Sequence, residues 1–177
     1  MKPTSLLALA AFLSGLGFTG AAFAQSSDAS DEMIFRPEKV DQCLAGRQGS
    51  ARLDCAGLAA EDCQQVNEGG GTTIGLGMCF TAESDWWDAK LNQAYQQLSA
   101  LEAEEDLDAK ESTLPVPERV PALKDMQRKW IAYRDALCEY EYVQWGGGTG
   151  GGPASAQCAL IETARQYFVL ADRLADR

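Results

Sequence analysis

Residues 81–108, TAESDWWDAKLNQAYQQLSALEAEEDLD, decide the fold of this chain. Apolar side chains recur in this stretch every three or four residues, at Trp87, Leu91, Ala94, Leu98 and Leu101. That spacing places them on one face of an α-helix, so the stretch predicts a long helix with a single apolar stripe. Thr81 is a good N-cap residue, and Glu83 and Asp85 suit the positive end of a helix, so we expect the helix to begin there.

Two further stripes of the same period follow along the chain. The second predicted helix extends from about Glu118 to about Trp145, with its stripe at Leu123, Met126, Trp130, Tyr133, Leu137 and Tyr140. The third begins after Pro153, with its stripe at Leu160, Ala164, Tyr167, Ala171 and Leu174. The glycine-rich segment 146–152 separates them, because a run of glycines breaks a helix. No segment of useful length shows the alternation of apolar and polar residues that is typical of a strand. We therefore predict an all-α fold with a three-helix antiparallel core.

The segment before the first stripe, residues 37–80, contains four of the six cysteines. Its apolar pattern predicts a Cys-rich, mostly helical head, with helices from Pro37 to Leu44 and from Leu53 to Val66. Residues 72–78 are rich in Gly and Thr, and we expect them to form a loop or a short extended segment.

The N-terminus has the parts of a secretory signal peptide, which we assign to residues 1–24. Lys2 supplies a positive charge, and residues 6–18 are mostly apolar. Ala22 and Ala24 place small side chains three residues and one residue before a cleavage site, which we expect directly before Gln25. The apolar run is too short to span a bilayer and no Cys follows it, so we expect no membrane anchor after cleavage. The predicted location is the periplasm or the exterior of the cell.

Cleavage would leave a mature chain of 153 residues, which is the size of one domain. Residues 25–36 are polar and are expected to form a disordered leader. Residues 37–80 form the head and residues 81–177 the helical domain, and we expect residues 37–177 to fold as one unit. The sequence carries no signal of an oligomeric state.

An even number of cysteines in an exported chain indicates disulfide bonds. Cys138 lies near the end of the second helix and Cys158 in the first turn of the third, so a helical hairpin brings the two together. In the head we expect Cys43–Cys55 and Cys63–Cys79, because these pairs close compact loops and leave no cysteine over.

The charge and the missing residue types exclude several functions. Residues 1–24 contain one basic residue, Lys2, and no acidic one, so cleavage changes the net charge from −11 to −12. Such a surface disfavours nucleic acid and anionic lipid and suits a basic partner. With no His and no closely spaced Cys pair, we expect no metal site, and residues 146–152 lack the Lys-Ser/Thr of a nucleotide loop. We therefore expect no cofactor and no enzyme activity.

Three blocks of residues, in a fixed order, are similar to one protein family. The first contains Trp87-Asp88, Leu91-Asn92, Tyr95 and Leu98, the second Gln127-Arg128, Trp130, Arg134-Asp135 and Cys138, and the third the glycine-rich segment, Cys158, Thr163 and Arg165. Over residues 79–174 the chain resembles the lysozyme inhibitor LprI-like family of exported bacterial envelope proteins. The resemblance implies an α-helical domain and a role in blocking lysozyme.

Six residues of these blocks are expected to have structural roles: Trp87, Asp88, Asn92, Tyr95, Trp130 and Arg134. Trp87 and Tyr95 should face Trp130 inside the core. Asn92 should satisfy a polar group near that core. Arg134 lies one residue past the apolar stripe of its helix, so we expect it to pair with Asp88 and to fix the register of the two helices.

The candidate partner-binding residues lie between the second and third helices, at Trp145, Gly147, Thr149 and Gly150. Trp145 offers an aromatic anchor, and glycines allow the backbone to approach a partner closely. The alternative for this segment is a flexible hairpin connection without a binding role.

The family resemblance, together with the predicted export and the acidic charge, implies a periplasmic binding protein, most concretely a lysozyme inhibitor that occludes the glycan cleft. Its partner would be a basic lysozyme, towards which the acidic surface would steer it. Two alternatives stay open: a structural or scaffolding periplasmic protein without lysozyme contact, and a carboxylate-based enzyme acting on envelope glycan.

Overall fold

The computed structural model describes residues 33–177, which form five α-helices. The helices are α1 (Glu38–Leu44), α2 (Leu58–Val66), α3 (Thr73–Ala109), α4 (Arg119–Val143) and α5 (Gly151–Ala175), and a 3-10 segment, Gly49–Cys55, precedes α2. No strand occurs in this described part of the chain. The predicted all-α class, with a helical head and three long helices, is therefore confirmed.

The N-terminal border of the folded unit lies at Met33. The predicted signal peptide, residues 1–24, and most of the predicted leader lie outside the described residues. Residues 33–36 lie against the end of α2, where the Ile34 backbone N–H donates to Asn67 Oδ1 at 2.8 Å. Asn67 Nδ2 donates back to the Ile34 carbonyl oxygen, also at 2.8 Å. This pair of hydrogen bonds holds the last residues of the predicted leader on the head.

The three long helices pack with α5 between its two neighbours. α5 makes more contact with α3 than with α4, and α3 and α4 touch least. The start of α5 lies beside the start of α3, and Arg177 after α5 bonds to Glu102 near the end of α3. α3 and α5 therefore run in the same direction, and α4 runs antiparallel to both.

α3 begins eight residues earlier than predicted, at Thr73 instead of Thr81. The Thr72 hydroxyl accepts a hydrogen bond from the Gly75 N–H at 3.1 Å, which caps the helix. A Cβ on Gly75 would lie 2.2 Å from the Gly69 carbonyl oxygen, so this glycine permits a close approach of the preceding loop. The expected loop at residues 72–78 is therefore wrong, because glycines that suggest a break here serve packing at a helix start.

The stripe predicted for α4 is only partly buried. Tyr133 and Tyr140 are 57% and 58% exposed, and Trp130 is partly buried instead of lying in the core. The buried positions of α4 are Leu123 and Cys138. α4 is an edge helix that is covered on one side only. Its buried face is therefore narrower than the apolar stripe in its sequence, and it is centred nearer to Cys138 than the stripe is.

The disulfides join Cys43 to Cys55, Cys63 to Cys79, and Cys138 to Cys158, which are the pairs expected from the sequence. Two of them hold the head together, and the third ties α4 to α5. Cys158 is the eighth residue of α5 and does not lie in its first turn as expected, because the helix begins before Pro153. α5 itself begins at Gly151, two residues before Pro153, because proline is tolerated in the first turn of a helix.

Glu83 joins the head to the core. Its side chain is completely buried, and its two oxygens accept hydrogen bonds from the backbone N–H groups of Gly57 and Ala60, each at 2.7 Å. These N–H groups lie at the start of α2, where a helix favours negative charge. The Trp87 indole N–H donates to the same carboxylate at 3.0 Å. Glu83 is therefore a cap for α2 supplied by α3, and not the helix-start residue that the sequence suggested.

Carboxylates at the far end of α3 have structural partners too. Asp106 caps α4 by accepting from the Arg119 and Val120 backbone N–H groups at 2.8 and 3.0 Å. Glu102 pairs with Arg119 and with Arg177. The acidic end of α3 thus fixes both neighbouring helices.

Candidate functional site

The glycine-rich segment folds tightly around Trp145. Gly146 and Gly147 have φ angles of +55° and +87°, which favour glycine, and the Gly148 N–H donates to the Trp145 carbonyl oxygen at 2.8 Å. The Trp145 ring lies directly on Gly150, where a Cβ would come within 2.1 Å of the ring. The indole is still 54% exposed. The segment therefore presents an aromatic side chain whose position is defined by its own glycines.

An apolar groove of 690 Å³ lies beside this segment. The first turns of α3 form one wall with Ile74 and Met78, and Thr149 and Pro153 contribute the other. Ile74 is 77% exposed and Met78 is 51% exposed, so both apolar side chains are largely open to solvent. We call this groove together with Trp145 the end surface.

A polar crevice of 490 Å³ continues from the end surface along α3. Asp85 lines both the groove and the crevice. Asp88 from α3 and Asp135 and Glu139 from α4 also line the crevice, with Arg134 as its cation. The end surface therefore has an acidic margin on the side that faces α4.

A second groove, of 340 Å³, lies between α3 and α4 further from the head. Five of the six residues expected to have structural roles line it: Asp88, Asn92, Tyr95, Trp130 and Arg134. Lys124, Gln127 and Arg128 complete its polar lining. We call this the α3–α4 groove. These side chains come together, but they line an open groove and not a closed helix–helix interface.

The predicted ion pair between Arg134 and Asp88 is wrong. Arg134 donates instead to Asp135, its chain neighbour, at 2.8 Å, and its guanidinium lies 5.0 Å from the centre of the Trp130 ring. Asp88 accepts from Asn92 Nδ2 at 2.7 Å. Since α3 and α4 make few contacts, both side chains face the same open crevice and find nearer partners on their own helices.

Of the six residues expected to have structural roles, only Trp87 lines neither groove. It is fully buried, with ring centres 4.7 Å from Trp86 and 5.3 Å from Phe168. Its neighbours include buried residues of the head such as Ala60 and Cys63. Trp87 is therefore a core residue that joins the head to α3 and α5.

The comparison with protein families decides the assignment of the chain. A family model described as Lysozyme inhibitor LprI matches residues 63–170. The chain belongs to the LprI lysozyme inhibitor family. No curated protein and no solved structure matches it.

The LprI match begins at Cys63, in α2, whereas the resemblance in the sequence begins at residue 79. Both cysteines of the Cys63–Cys79 disulfide therefore fall inside the family region. So do the α3–α4 groove and most of the end surface, of which only Met33 lies outside. Within residues 33–177, no helix is both long and apolar enough to cross a membrane.

The sequence did not predict that Ile74 and Met78 lie side by side on a helix, or that Glu83 is buried. Ile74 and Met78 are four residues apart, which is a helical spacing, but the surrounding glycines suggested a loop. Nothing near Glu83 in the sequence indicates burial, since its partners Gly57 and Ala60 are more than twenty residues away. Such a long-range cap becomes visible only in the folded chain.

Proposed function

We propose that this chain is exported to the cell envelope, where it binds a basic lysozyme and blocks its glycan cleft with the end surface. Membership of the LprI family supports lysozyme as the partner. Three disulfides suit an oxidising compartment outside the cytoplasm. The single observation that carries the choice of surface is the exposed, glycine-supported Trp145.

The end surface has the composition of a binding site for a protein. Trp and Met are enriched among residues that anchor protein–protein interfaces, and such anchors are surrounded by polar margins. Trp145 lies on Gly150 in a defined position, so less side-chain freedom is lost on binding. Ile74 and Met78 add apolar area beside Thr149, which is itself one of the candidate binding residues.

The glycines at 147 and 150 give the segment its shape. Gly147 has a positive φ angle that other residues adopt at a cost, and Gly150 leaves space for the indole ring. A larger residue at position 150 would collide with the Trp145 ring, and one at position 147 would strain the turn that follows Trp145. We therefore assign Trp145 and Thr149 as contact residues, and Gly147 and Gly150 as the residues that position them.

The acidic crevice next to the end surface supplies the electrostatic part of the mechanism. Asp85 and Asp88 line this crevice from α3, and Asp135 and Glu139 line it from α4. A negative surface increases the rate at which a positively charged lysozyme approaches in a productive orientation. Affinity would then come from the desolvated apolar contacts, which salt screens much less than exposed charges.

The test is inhibition of a basic lysozyme at low and at physiological ionic strength. We expect the mature protein to slow cleavage of peptidoglycan at both, with slower association at the higher ionic strength. An unrelated acidic protein of similar net charge is the control. Inhibition that disappears with salt, or that the control reproduces, would reject the proposal.

The same substrate distinguishes the alternatives that the sequence leaves open. A structural or scaffolding protein would leave lysozyme activity unchanged at every ionic strength. An enzyme acting on glycan would release soluble fragments from peptidoglycan without any lysozyme present. We expect the protein alone to release none.

A further inference from the structure

We infer that the α3–α4 groove binds a sugar acid, that is, a small saccharide with a carboxylate. Asp88 and Arg134 line both the groove and the neighbouring acidic crevice. This site is nevertheless separate from the proposed apolar contact with lysozyme, because the α3–α4 groove and the end surface share no lining residue. The inference therefore does not depend on the proposed function.

The first observation is an unusual pair of cations. Ten of the fourteen basic residues in the described part of the chain form an ion pair with a carboxylate. Lys124 and Arg128 are two of the four that do not, and both line the α3–α4 groove. They are four residues apart on α4, where like charges repel. In a chain of net charge −11, two neighbouring unpaired cations point to an anionic ligand.

The second observation is the shape of the groove. Its volume of 340 Å³ is at the lower end of the range for small-molecule sites, so it fits one or two rings. Its walls are helices, whose backbone groups are already hydrogen-bonded, so no free strand edge is available for an extended peptide. The groove therefore favours a small molecule over an extended peptide segment.

The third observation is the set of side chains that meet there. Trp130 and Tyr95 supply flat apolar surfaces of the kind that pack against rings, and both are partly buried. Asn92 Nδ2 is bonded to Asp88, which leaves Asn92 Oδ1 as an acceptor for a hydroxyl group. Gln127 Oε1 accepts from Gln166 at 2.9 Å, which leaves the Gln127 amide N–H groups as donors.

These groups together match a ring that carries hydroxyls and one carboxylate. Aromatic faces, planar amides and cations are the recurrent means of holding such a ligand in an otherwise apolar site. Asp88 also lines the groove, but its Oδ2 accepts from Asn92. The carboxylate of the ligand would lie on the α4 side, next to Lys124 and Arg128.

The test is titration calorimetry of the mature protein with N-acetylmuramic acid and with N-acetylglucosamine, two sugars of which only the first has a carboxylate. We expect binding of the acid in the micromolar to millimolar range and at least about tenfold weaker binding of the neutral sugar. Equal affinity for both sugars, or no measurable binding of the acid, would overturn the inference.

Charge variants locate the site. The double variant K124Q/R128Q removes both cations from exposed positions and should fold normally, and we expect it to weaken binding of the acid about tenfold or more. The matched control is K110Q/R173Q, which also removes two positive charges, since Lys110 and Arg173 are the other two unpaired cations and line neither the α3–α4 groove nor the end surface. Equal weakening in K110Q/R173Q would mean that only overall charge matters and would overturn the site. Unchanged inhibition of lysozyme by K124Q/R128Q would show that the two sites are independent.

Discussion

α3 and α4 have apolar stripes of the same period, yet the stripe of α3 is mostly buried and the stripe of α4 is partly exposed. α3 buries Trp87 between the head and α5, and it buries Leu91 and Leu98 in a second cluster that contains Leu123 of α4 and Leu170 of α5. α4 leaves Tyr133 and Tyr140 mostly exposed and keeps an open groove beside Trp130. Periodicity in the sequence therefore predicts a helix and its apolar face. The number of neighbouring elements decides how much of that face is buried.

The largest expected effect is the difference in stability between replacing a buried aromatic residue of α3 and replacing an exposed one of α4. Trp87→Ala should lower the free energy of unfolding by about 3–5 kcal/mol, because it opens a cavity between the head, α3 and α5. Tyr133→Ala should lower it by less than about 0.5 kcal/mol, as is usual for a surface position. Urea denaturation of both variants measures the contrast. Similar losses in the two variants would remove the distinction between the helices.

The second prediction concerns Glu83, the α3 residue that caps α2. Glu83→Ala should lower the free energy of unfolding by about 2–3 kcal/mol, because the Gly57 and Ala60 N–H groups and the Trp87 indole lose their acceptor in a buried place. Asp85→Ala, two residues away and exposed, is the matched control and should be nearly neutral. Thermal unfolding monitored by circular dichroism compares the two. A neutral Glu83→Ala would mean that α2 does not need this cap.

Trp130 gives an intermediate case on α4. It is partly buried and is covered by Arg134 on one face, so Trp130→Ala should lower the free energy of unfolding by about 2 kcal/mol, less than for a fully buried Trp. Chemical denaturation again measures it. A loss as large as that of Trp87→Ala would place Trp130 in the core, where the sequence pattern had suggested it.

Local patterns in the sequence predicted the parts of the fold that depend on neighbours along the chain. The three stripes and the break at residues 146–152 are visible in this way, and the hairpin they imply is closed by the Cys138–Cys158 disulfide. Five residues with predicted structural roles, all from the blocks that carry the family resemblance, line the α3–α4 groove, but the sequence predicted no open groove there.

Features that depend on distant segments could not be predicted in this way. The start of α3 at Thr73 depends on the packing of Gly75 against the Gly69 loop. The burial of Glu83 depends on the position of α2. Arg134 was expected to pair across the helices, but α4 diverges from α3 enough for Asp135 to be its nearer partner. Each of these outcomes is decided by tertiary distances that no local pattern contains.

The contrast also matters for function, because the exposed aromatic residues in α4 and just after it are not equivalent. Trp145, which follows α4, lies on Gly150 beside the apolar groove, whereas Tyr133 lines neither groove described above. Their exposed fractions are similar, at 54% and 57%. Tyr133 is therefore a matched control for an aromatic contact at the end surface.

The most direct test of the account is the inhibition constant for a basic lysozyme, measured at physiological ionic strength with the mature protein, Trp145→Ala and Tyr133→Ala. An aromatic anchor at an interface contributes about 2 kcal/mol or more, so Trp145→Ala should raise the inhibition constant at least about thirtyfold. Tyr133→Ala should leave it unchanged within about twofold. If Trp145→Ala inhibits as well as the parent, or if both variants lose inhibition equally, the end surface is not the lysozyme contact.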